Sequence, residues 1–237
     1  MYKGIKCTAI IVAAGIGKRM GLDISKQFLK INNKHIIAYT LEKFANVDEV
    51  DEIILVTKAD FINYCNEKIL KNYTINKPIR IVEGGKERQE SVFKGLMSIE
   101  DKNSIVLIHD GVRPFVEEKD IFRTIESAWE QGTGVLGVPA KDTIKICNSN
   151  NIVESTPDRS KLWYIQTPQT FKYDLIYKAH ESASNEGFLG TDDAMLAERM
   201  GVPVKIIEGS YNNIKITTIE DITISKIILE NIEKKEK

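Results

Sequence analysis

Five short apolar runs recur along the chain, at Thr8–Ala14, Glu52–Val56, Ile79–Val82, Ser104–Ile108 and Gly134–Pro139. The first four are each followed by a stretch with helical periodicity, at Ile36–Phe44, Phe61–Leu70, Glu87–Ser98 and Glu118–Trp129. The run Glu-Ile-Ile-Leu-Val shows no polar alternation, as expected of a strand buried on both faces. Strand, loop and helix in repeated order predict an α/β fold, a mainly parallel sheet with helices on both faces. Such sheets bind ligands at the carboxyl ends of their strands. The glycine- or charge-rich segments 15–26, 84–91 and 109–114 all follow strands and should converge on one crevice.

The first of these segments carries the clearest chemistry. Gly15-Ile16-Gly17-Lys18-Arg19-Met20-Gly21 and Ser25-Lys26-Gln27-Phe28-Leu29 follow the first apolar run. Glycines let the backbone turn sharply and bring its N–H groups against a phosphate. Lys18, Arg19 and Lys26 add positive charge, so a nucleoside triphosphate fits. The spacing matches neither the dinucleotide fingerprint nor a Walker loop: Gly21 comes four residues after Gly17, and Val12 and Arg19 stand where a Walker loop needs Gly and Ser or Thr. The pattern points to phosphate without naming a cofactor. Read alone, it could also be a solvated turn.

The formal charge of −1, from 33 basic and 34 acidic residues, removes a global electrostatic case for nucleic acid binding. Any anion site must be local. Cys7, Cys65 and Cys147 are too few and too dispersed for a disulfide framework or a zinc site, which points to a reducing cytoplasm. Lys3 and Lys6 before an apolar run imitate a secretory signal, but the run is too short and passes straight into the glycine loop. No segment approaches the length of a membrane span. No repeat or low-complexity linker divides the sequence, which is read as one domain, 1–237.

In the second half the pattern changes. Thr143–Ile146 and Ile152–Ser155 alternate around Asn148-Ser149-Asn150-Asn151, predicting a hairpin arm at about 141–158. A lone hairpin is marginal and must pack on something, either its own domain or another subunit. Leu162–Gln166 is expected to return to the sheet, Gln166-Thr167-Pro168-Gln169 to turn, and Tyr173–Asn185 and Asp192–Met200 to be helical. Val204–Ile207 and Asn213–Thr217 read as late strands, and Glu220–Ile232 as a closing helix before a charged, frayed tail.

Taken together, Ala13-Ala14-Gly15-x-Gly17-x-Arg19-Met20, Lys26-Gln27-Phe28-Leu29, Gly84-Gly85-x-x-Arg88-x-x-Ser91, His109-Asp110-x-x-Arg113-Pro114, Asp142-Thr143-Ile144-Lys145, Gln166-Thr167-Pro168-Gln169, Gly190-Thr191-Asp192-Asp193 and Asn213-Ile214-Lys215-Ile216-Thr217 resemble the 2-C-methyl-D-erythritol 4-phosphate cytidylyltransferase family. The resemblance runs in order from about residue 7 to residue 229. It implies a Rossmann-like nucleotidyltransferase fold with a projecting β-hairpin arm. It also implies homodimers whose arm reaches into the neighbouring subunit, and transfer of CMP from CTP to methylerythritol 4-phosphate with release of pyrophosphate.

By the same resemblance, Arg19 and Lys26 match transition-state stabilisers, and Mg2+ or another divalent cation would bridge the triphosphate oxygens; no metal ligand in the chain is identified. Ala13, Ala14, Gly15, Gly17, Gly85, Lys86, Ser91, Asp110 and Gly111 match the nucleotide site. Asp110, Arg113, Thr191 and Lys215 match binding residues for the polyol phosphate. Thr143 and Arg159 match residues reaching across the dimer. Without the family, Arg113 and Lys215 read equally as surface charges or as partners of nearby carboxylates. Asp192-Asp193 could begin a helix with Thr191 as its cap. His109 is given no chemical step, and Thr167 is expected near the substrate side.

Two departures from the family pattern stand out. Phe28 replaces a common tyrosine, and Gly111-Val112 a common Ala-Ala pair, which is expected to loosen that loop and bear on affinity. Ribitol 5-phosphate cytidylyltransferases share much of the pattern and are the nearest alternative. The flanks Lys141-Asp142-Thr143-Ile144-Lys145 and Arg159-Ser160-Lys161-Leu162-Trp163 favour the isoprenoid enzyme. A non-catalytic nucleotide-binding dimer would have no use for Arg19, Lys26, Arg159 and Lys215 together.

Overall fold

The computed structural model of the chain describes residues 1–15 and 25–235. Seven strands form the central sheet: β1 (Lys6–Val12), β4 (Glu52–Thr57), β5 (Ile79–Glu83), β6 (Ser104–Asp110), β7 (Thr133–Pro139), β10 (Trp163–Lys172) and β11 (Ile206–Glu208). Their order is β11-β7-β10-β6-β1-β4-β5. All neighbours are parallel except β10, which is antiparallel to both β6 and β7. Two small ribbons complete the strands, β2 (Lys30–Ile31) with β3 (Lys34–His35), and β8 (Ile146–Cys147) with β9 (Val153–Ser155).

The unbroken apolar strands are explained by two cores, one on each face. Successive side chains of a strand point to opposite faces. Ala9 and Ile11 of β1, with Ile53, Leu55, Ile105 and Leu107, meet Ile37, Leu41 and Phe44 of α1 (Ile36–Ala45) and Ile121 and Ile125 of α4 (Glu118–Gln131). Ile10, Ile54, Val56, Val106 and Ile108 point the other way. They meet Val92 and Leu96 of α3 (Arg88–Met97), Ile176 of α5 (Tyr173–Asn185) and Leu196 of α6 (Asp193–Arg199). A third cluster, with Ile31, Ile36, Val112, Phe115 and Ile216, is closed by Ile228 and Leu229 of α7 (Ile219–Lys235). The remaining helix, α2 (Ala59–Tyr64), continues through a π-helical stretch at Cys65–Leu70.

Helix positions follow the periodicity closely, with several corrections elsewhere. Residues 166–169 do not leave the sheet as a turn. They lie within β10, which carries a cis Thr167–Pro168 bond and a register shift between Ile165 and Gln169. Asn213–Thr217 is not a strand: only Ile216 N–H reaches a neighbouring backbone, at Val112 O, 2.9 Å. One hydrogen bond makes no ladder. α7 runs to Lys235, through part of the expected tail. The hairpin strands are shorter than expected and exclude Thr143, Ile144 and Lys145. Ile146, Ile152 and Val153 stay exposed, so no described residue of the same chain covers the apolar side chains of the hairpin.

Candidate active site

The loops after β1, β5 and β6 leave the sheet at one end, each tied by a backbone bond one step beyond its strand. Ala13 N–H donates to Val56 O (2.7 Å), Gly84 N–H to Thr57 O (2.7 Å) and Gly111 N–H to Val12 O (2.9 Å). Buried Gln27 donates to Ala13 O at 2.7 Å and holds the first loop from behind. Close approach explains Gly84, where a Cβ would lie 2.7 Å from that of Ala14 and 2.9 Å from Ser91 Oγ.

These loops enclose a cleft with two halves. The first is lined by Ala13, Ala14, Gly15, Lys26, Gln27, Gly85, Lys86 and Ser91. The second is lined by Arg113, Gln166, Thr167, Gln169, Thr191 and Asp192, and the two share Arg88, Asp110 and Lys215. The expected convergence of three segments is therefore present. Gly17 and Arg19 lie outside the described residues. Gly111 stands behind the cleft: its carbonyl accepts from Thr40 Oγ1 at 3.0 Å, and a Cβ there would meet Ile37 Cδ1 at 2.7 Å. It is packed and hydrogen-bonded, contrary to the expectation of a loosened loop. Phe28 is buried against Phe61 and Tyr64.

Asp110 is the floor of the cleft. Its carboxylate lies 3.0 Å from Arg88 Nε, 2.7 Å from Lys215 Nζ and 3.7 Å from Arg113 Nε. Burial alone would raise its pKa, but Arg88, Lys215 and Arg113 reverse that and hold it well below the usual carboxylate range. Arg113 and Lys215 are thus carboxylate partners and cleft residues at once.

Behind Asp110, its N–H donates to Thr167 Oγ1 (3.1 Å). That hydroxyl lies 3.0 Å from His109 Nδ1, and His109 Nε2 lies 3.0 Å from Arg113 O. The Thr167 hydroxyl proton therefore goes to Nδ1, which assigns the neutral Nε2–H tautomer. Burial depresses the His109 pKa to about 3. The ring orients the 110–113 loop. Asn213 Nδ2 bonds Gln166 Oε1 and Thr167 O, while Arg113 Nη1 donates to Asn213 O, so the Lys215 segment is tied to β10.

Thr191 does not cap α6. Asp192 does, accepting from Met195 N–H at 2.9 Å. Asp193 is buried between Arg88 Nη1 (2.8 Å) and His180 Nε2 (3.1 Å). The first turn of α3 supports both halves: Gln89 bonds Phe188 O and Gly190 N–H, Glu90 accepts from Lys86 N–H, and Ser91 from Gly85 N–H. Sequence reasoning missed Arg88 and Gln89 as site residues. Arg88 stands in a quoted motif, but nothing local reports the two carboxylates it reaches. Thr143 and Arg159 do not line this cleft; Arg159 is exposed and donates to Lys141 O at 3.0 Å.

The described residues contain no cluster of three His, Cys, Asp or Glu side chains able to hold a metal. Asp110, the carboxylate on the cleft floor, is already engaged by cations. These donors do not build a protein-held Mg2+ site.

A family model for 2-C-methyl-D-erythritol 4-phosphate cytidylyltransferase matches residues 7–231. The chain belongs to this family. Among curated members it is 46% identical to the cytidylyltransferase of Caldanaerobacter subterraneus subsp. tengcongensis, covering 94% of this chain and 98% of that one. It is 49% identical to that of Clostridium acetobutylicum, covering 94% and 96%. The crystal structure of 4-diphosphocytidyl-2C-methyl-D-erythritol synthase from Anaerococcus prevotii superposes with a TM-score of 0.86 at 35% identity, over 96% of this chain and 97% of that one. The cytidylyltransferase fold includes the sheet, both helix layers and the β8–β9 hairpin.

Proposed function

We propose that the first half of the cleft takes CTP, that the second takes 2-C-methyl-D-erythritol 4-phosphate, and that reaction occurs over Asp110. The chain is a cytidylyltransferase of isoprenoid biosynthesis, forming 4-diphosphocytidyl-2-C-methyl-D-erythritol and pyrophosphate. The observation that carries a cleft for two phosphate-bearing ligands is charge. On a chain of net −1, five cations (Lys26, Lys86, Arg88, Arg113 and Lys215) line the two halves against three carboxylates (Glu87, Asp110 and Asp192). A local positive excess suits two phosphate-bearing substrates that repel each other in water.

A phosphate oxygen of the polyol attacks the α-phosphorus of CTP in line. The new P–O bond forms as the bond to the bridging α,β-oxygen breaks, and that electron pair leaves with pyrophosphate. Positioning and electrostatics supply the catalysis, with no covalent enzyme intermediate. Arg19 and Lys26 stabilise charge on the α-phosphate and the leaving group. Ala13, Ala14, Gly85, Lys86 and Ser91 hold the nucleotide, with Gly15 and Gly17 assigned to the same ligand and Gly111 backing the floor. Asp110, Arg113, Thr191 and Lys215 hold the polyol phosphate. A divalent cation such as Mg2+, carried by the triphosphate and not by protein side chains, would neutralise charge there.

The exposed apolar arm and the position of Thr143 and Arg159 outside their own cleft support a homodimer in which the arm at about 141–158 completes the neighbouring site. The rest of the chain is one domain. Cys7, Cys65 and Cys147 are free thiols, in keeping with the cytoplasm. No helix among the described residues is long and apolar enough to cross a membrane, and no nucleic acid partner is proposed.

The test is pyrophosphate release with CTP and Mg2+, offering methylerythritol 4-phosphate and ribitol 5-phosphate in parallel, with UTP and ATP as controls. Turnover of methylerythritol 4-phosphate with CTP is expected. Preference for ribitol 5-phosphate would overturn the substrate assignment, and no turnover with either would overturn the catalytic one.

A further inference from the structure

Arg88 faces both halves of the cleft, yet the proposed reaction gives it no step. Its guanidinium contacts carboxylates from different parts of the fold, donating a hydrogen bond to Asp110 and pairing by charge with Asp193. Nε reaches Asp110 Oδ1 at 3.0 Å, at the end of β6, and Nη1 reaches Asp193 Oδ2 at 2.8 Å, in the first turn of α6. Asp193 is 1% exposed, so its charge has no water to turn to. Its other partner, His180, is itself buried and fixed from α5.

Thr191 precedes this anchored turn and is exposed at the cleft. Among the described residues its N–H and hydroxyl meet only Met195 Sδ, at 3.5 Å in each case, a weak acceptor. Its placement therefore depends on how the start of α6 is held. Gln169 fixes that start from β10, bonding Asp192 Oδ2 and Ala194 N–H, and Arg88 fixes it from α3.

We propose that Arg88 is a positioning residue for the phosphorylated polyol: by bridging Asp110 and Asp193 it fixes the distance between the cleft floor and the loop that carries Thr191. A planar guanidinium can present two separated N–H groups to two carboxylates at once, whereas a lysine ammonium is a point charge on a flexible stem. Charge at position 88 is then insufficient, and the fork is required. In the nucleotide half the 85–86 loop is held apart from the bridge, because Gly85 and Lys86 N–H bond Ser91 and Glu90.

This inference rests on the proposed assignment of the second half to the polyol phosphate. The test compares the wild-type chain with Arg88→Lys, Asp193→Asn and the double variant, measuring steady-state pyrophosphate release and CTP binding by calorimetry. Arg88→Lys is expected to raise KM for methylerythritol 4-phosphate roughly tenfold to a hundredfold, with a several-fold smaller change in the Kd for CTP. Asp193→Asn is expected to do the same, and the double variant to be no worse than the worse single.

An ion-pair network that served stability alone would lower the melting temperature without separating the two substrates. Equal losses for CTP and polyol, or additive effects of the two substitutions, would overturn the proposal. If Arg88→Lys does not fold, Asp193→Asn releases the same link from the other end, and an unchanged KM there overturns it too. A wild-type chain without turnover of methylerythritol 4-phosphate would instead overturn the functional assignment beneath it.

Discussion

Lys215 Nζ lies 2.7 Å from Asp110 Oδ2, joining the irregular segment before α7 to the end of β6. Ile216, fully buried beside Val112, anchors that segment from below while Lys215 turns to the cleft. Lys215→Met keeps the aliphatic stem and removes the charge. Turnover of methylerythritol 4-phosphate is expected to fall roughly a hundred- to a thousandfold, with thermal stability little changed, since Arg88 and Arg113 still face Asp110. Initial rates and a melting curve check both parts.

Lys26 lines the nucleotide half and is assigned to the charge that develops during transfer. Lys26→Ala should retain CTP binding within about tenfold and lose roughly a hundred- to a thousandfold in kcat. Calorimetric titration with CTP, beside steady-state rates, separates the two. A loss confined to binding would contradict the role.

Acid should destabilise the fold through His109. Burial is the main cause that lowers its pKa, from 6.5 to about 3. Below pH 6.5 the unfolded chain takes up a proton that the folded chain refuses, so this contribution is complete above 6.5 and is lost as pH falls toward 3. The drop between pH 6.5 and pH 5 amounts to about 2 kcal/mol. Urea midpoints at the two pH values measure it. In His109→Gln the dependence over this window should flatten, while Asp110, also depressed, acts in the same direction only at lower pH.

Gly111 should be coupled to Ile37. Gly111→Ala sets its new methyl 2.7 Å from Ile37 Cδ1 and 3.2 Å from Val12 O, and overpacking of this kind costs about 1–3 kcal/mol. Ile37→Val removes the nearer obstacle. Chemical denaturation should find Gly111→Ala destabilised and the double variant more stable than the sum of the two singles.

Charging the arm should separate subunits. Ile152→Asp places a carboxylate on its exposed apolar surface, where Ile152 is 62% exposed. If the proposed dimer forms through the arm, sedimentation should show it shift to monomer, with a large loss of turnover. The melting temperature of the sheet should barely move.

The α/β class, the helix positions and the converging loops were legible in the sequence because periodicity and strand-end glycines are local signals. Helix α5 matches its expected limits, Tyr173–Asn185. The reversed direction of β10 was not legible, since alternation carries no polarity and Pro168 within Gln166–Gln169 reads as a break. Asn213–Thr217 has the alternation of a strand because Ile216 must point inward and Lys215 toward Asp110, although no neighbouring strand pairs with it. Most site residues were carried by the family resemblance rather than by any local pattern; read alone, Arg113 and Lys215 were equally surface charges. Arg88 escaped because its role depends on Asp193, which only the packing of α3 on α5 and α6 brings near.

The arm leaves and re-enters the sheet through a closed neck, where Trp163 pairs with Pro139 and Ala140 N–H donates to Leu162 O at 2.9 Å. Sequence change beyond that neck does not propagate into the register of β7 and β10. The contacts proposed for the arm can therefore be redesigned without disturbing the strands that frame the cleft.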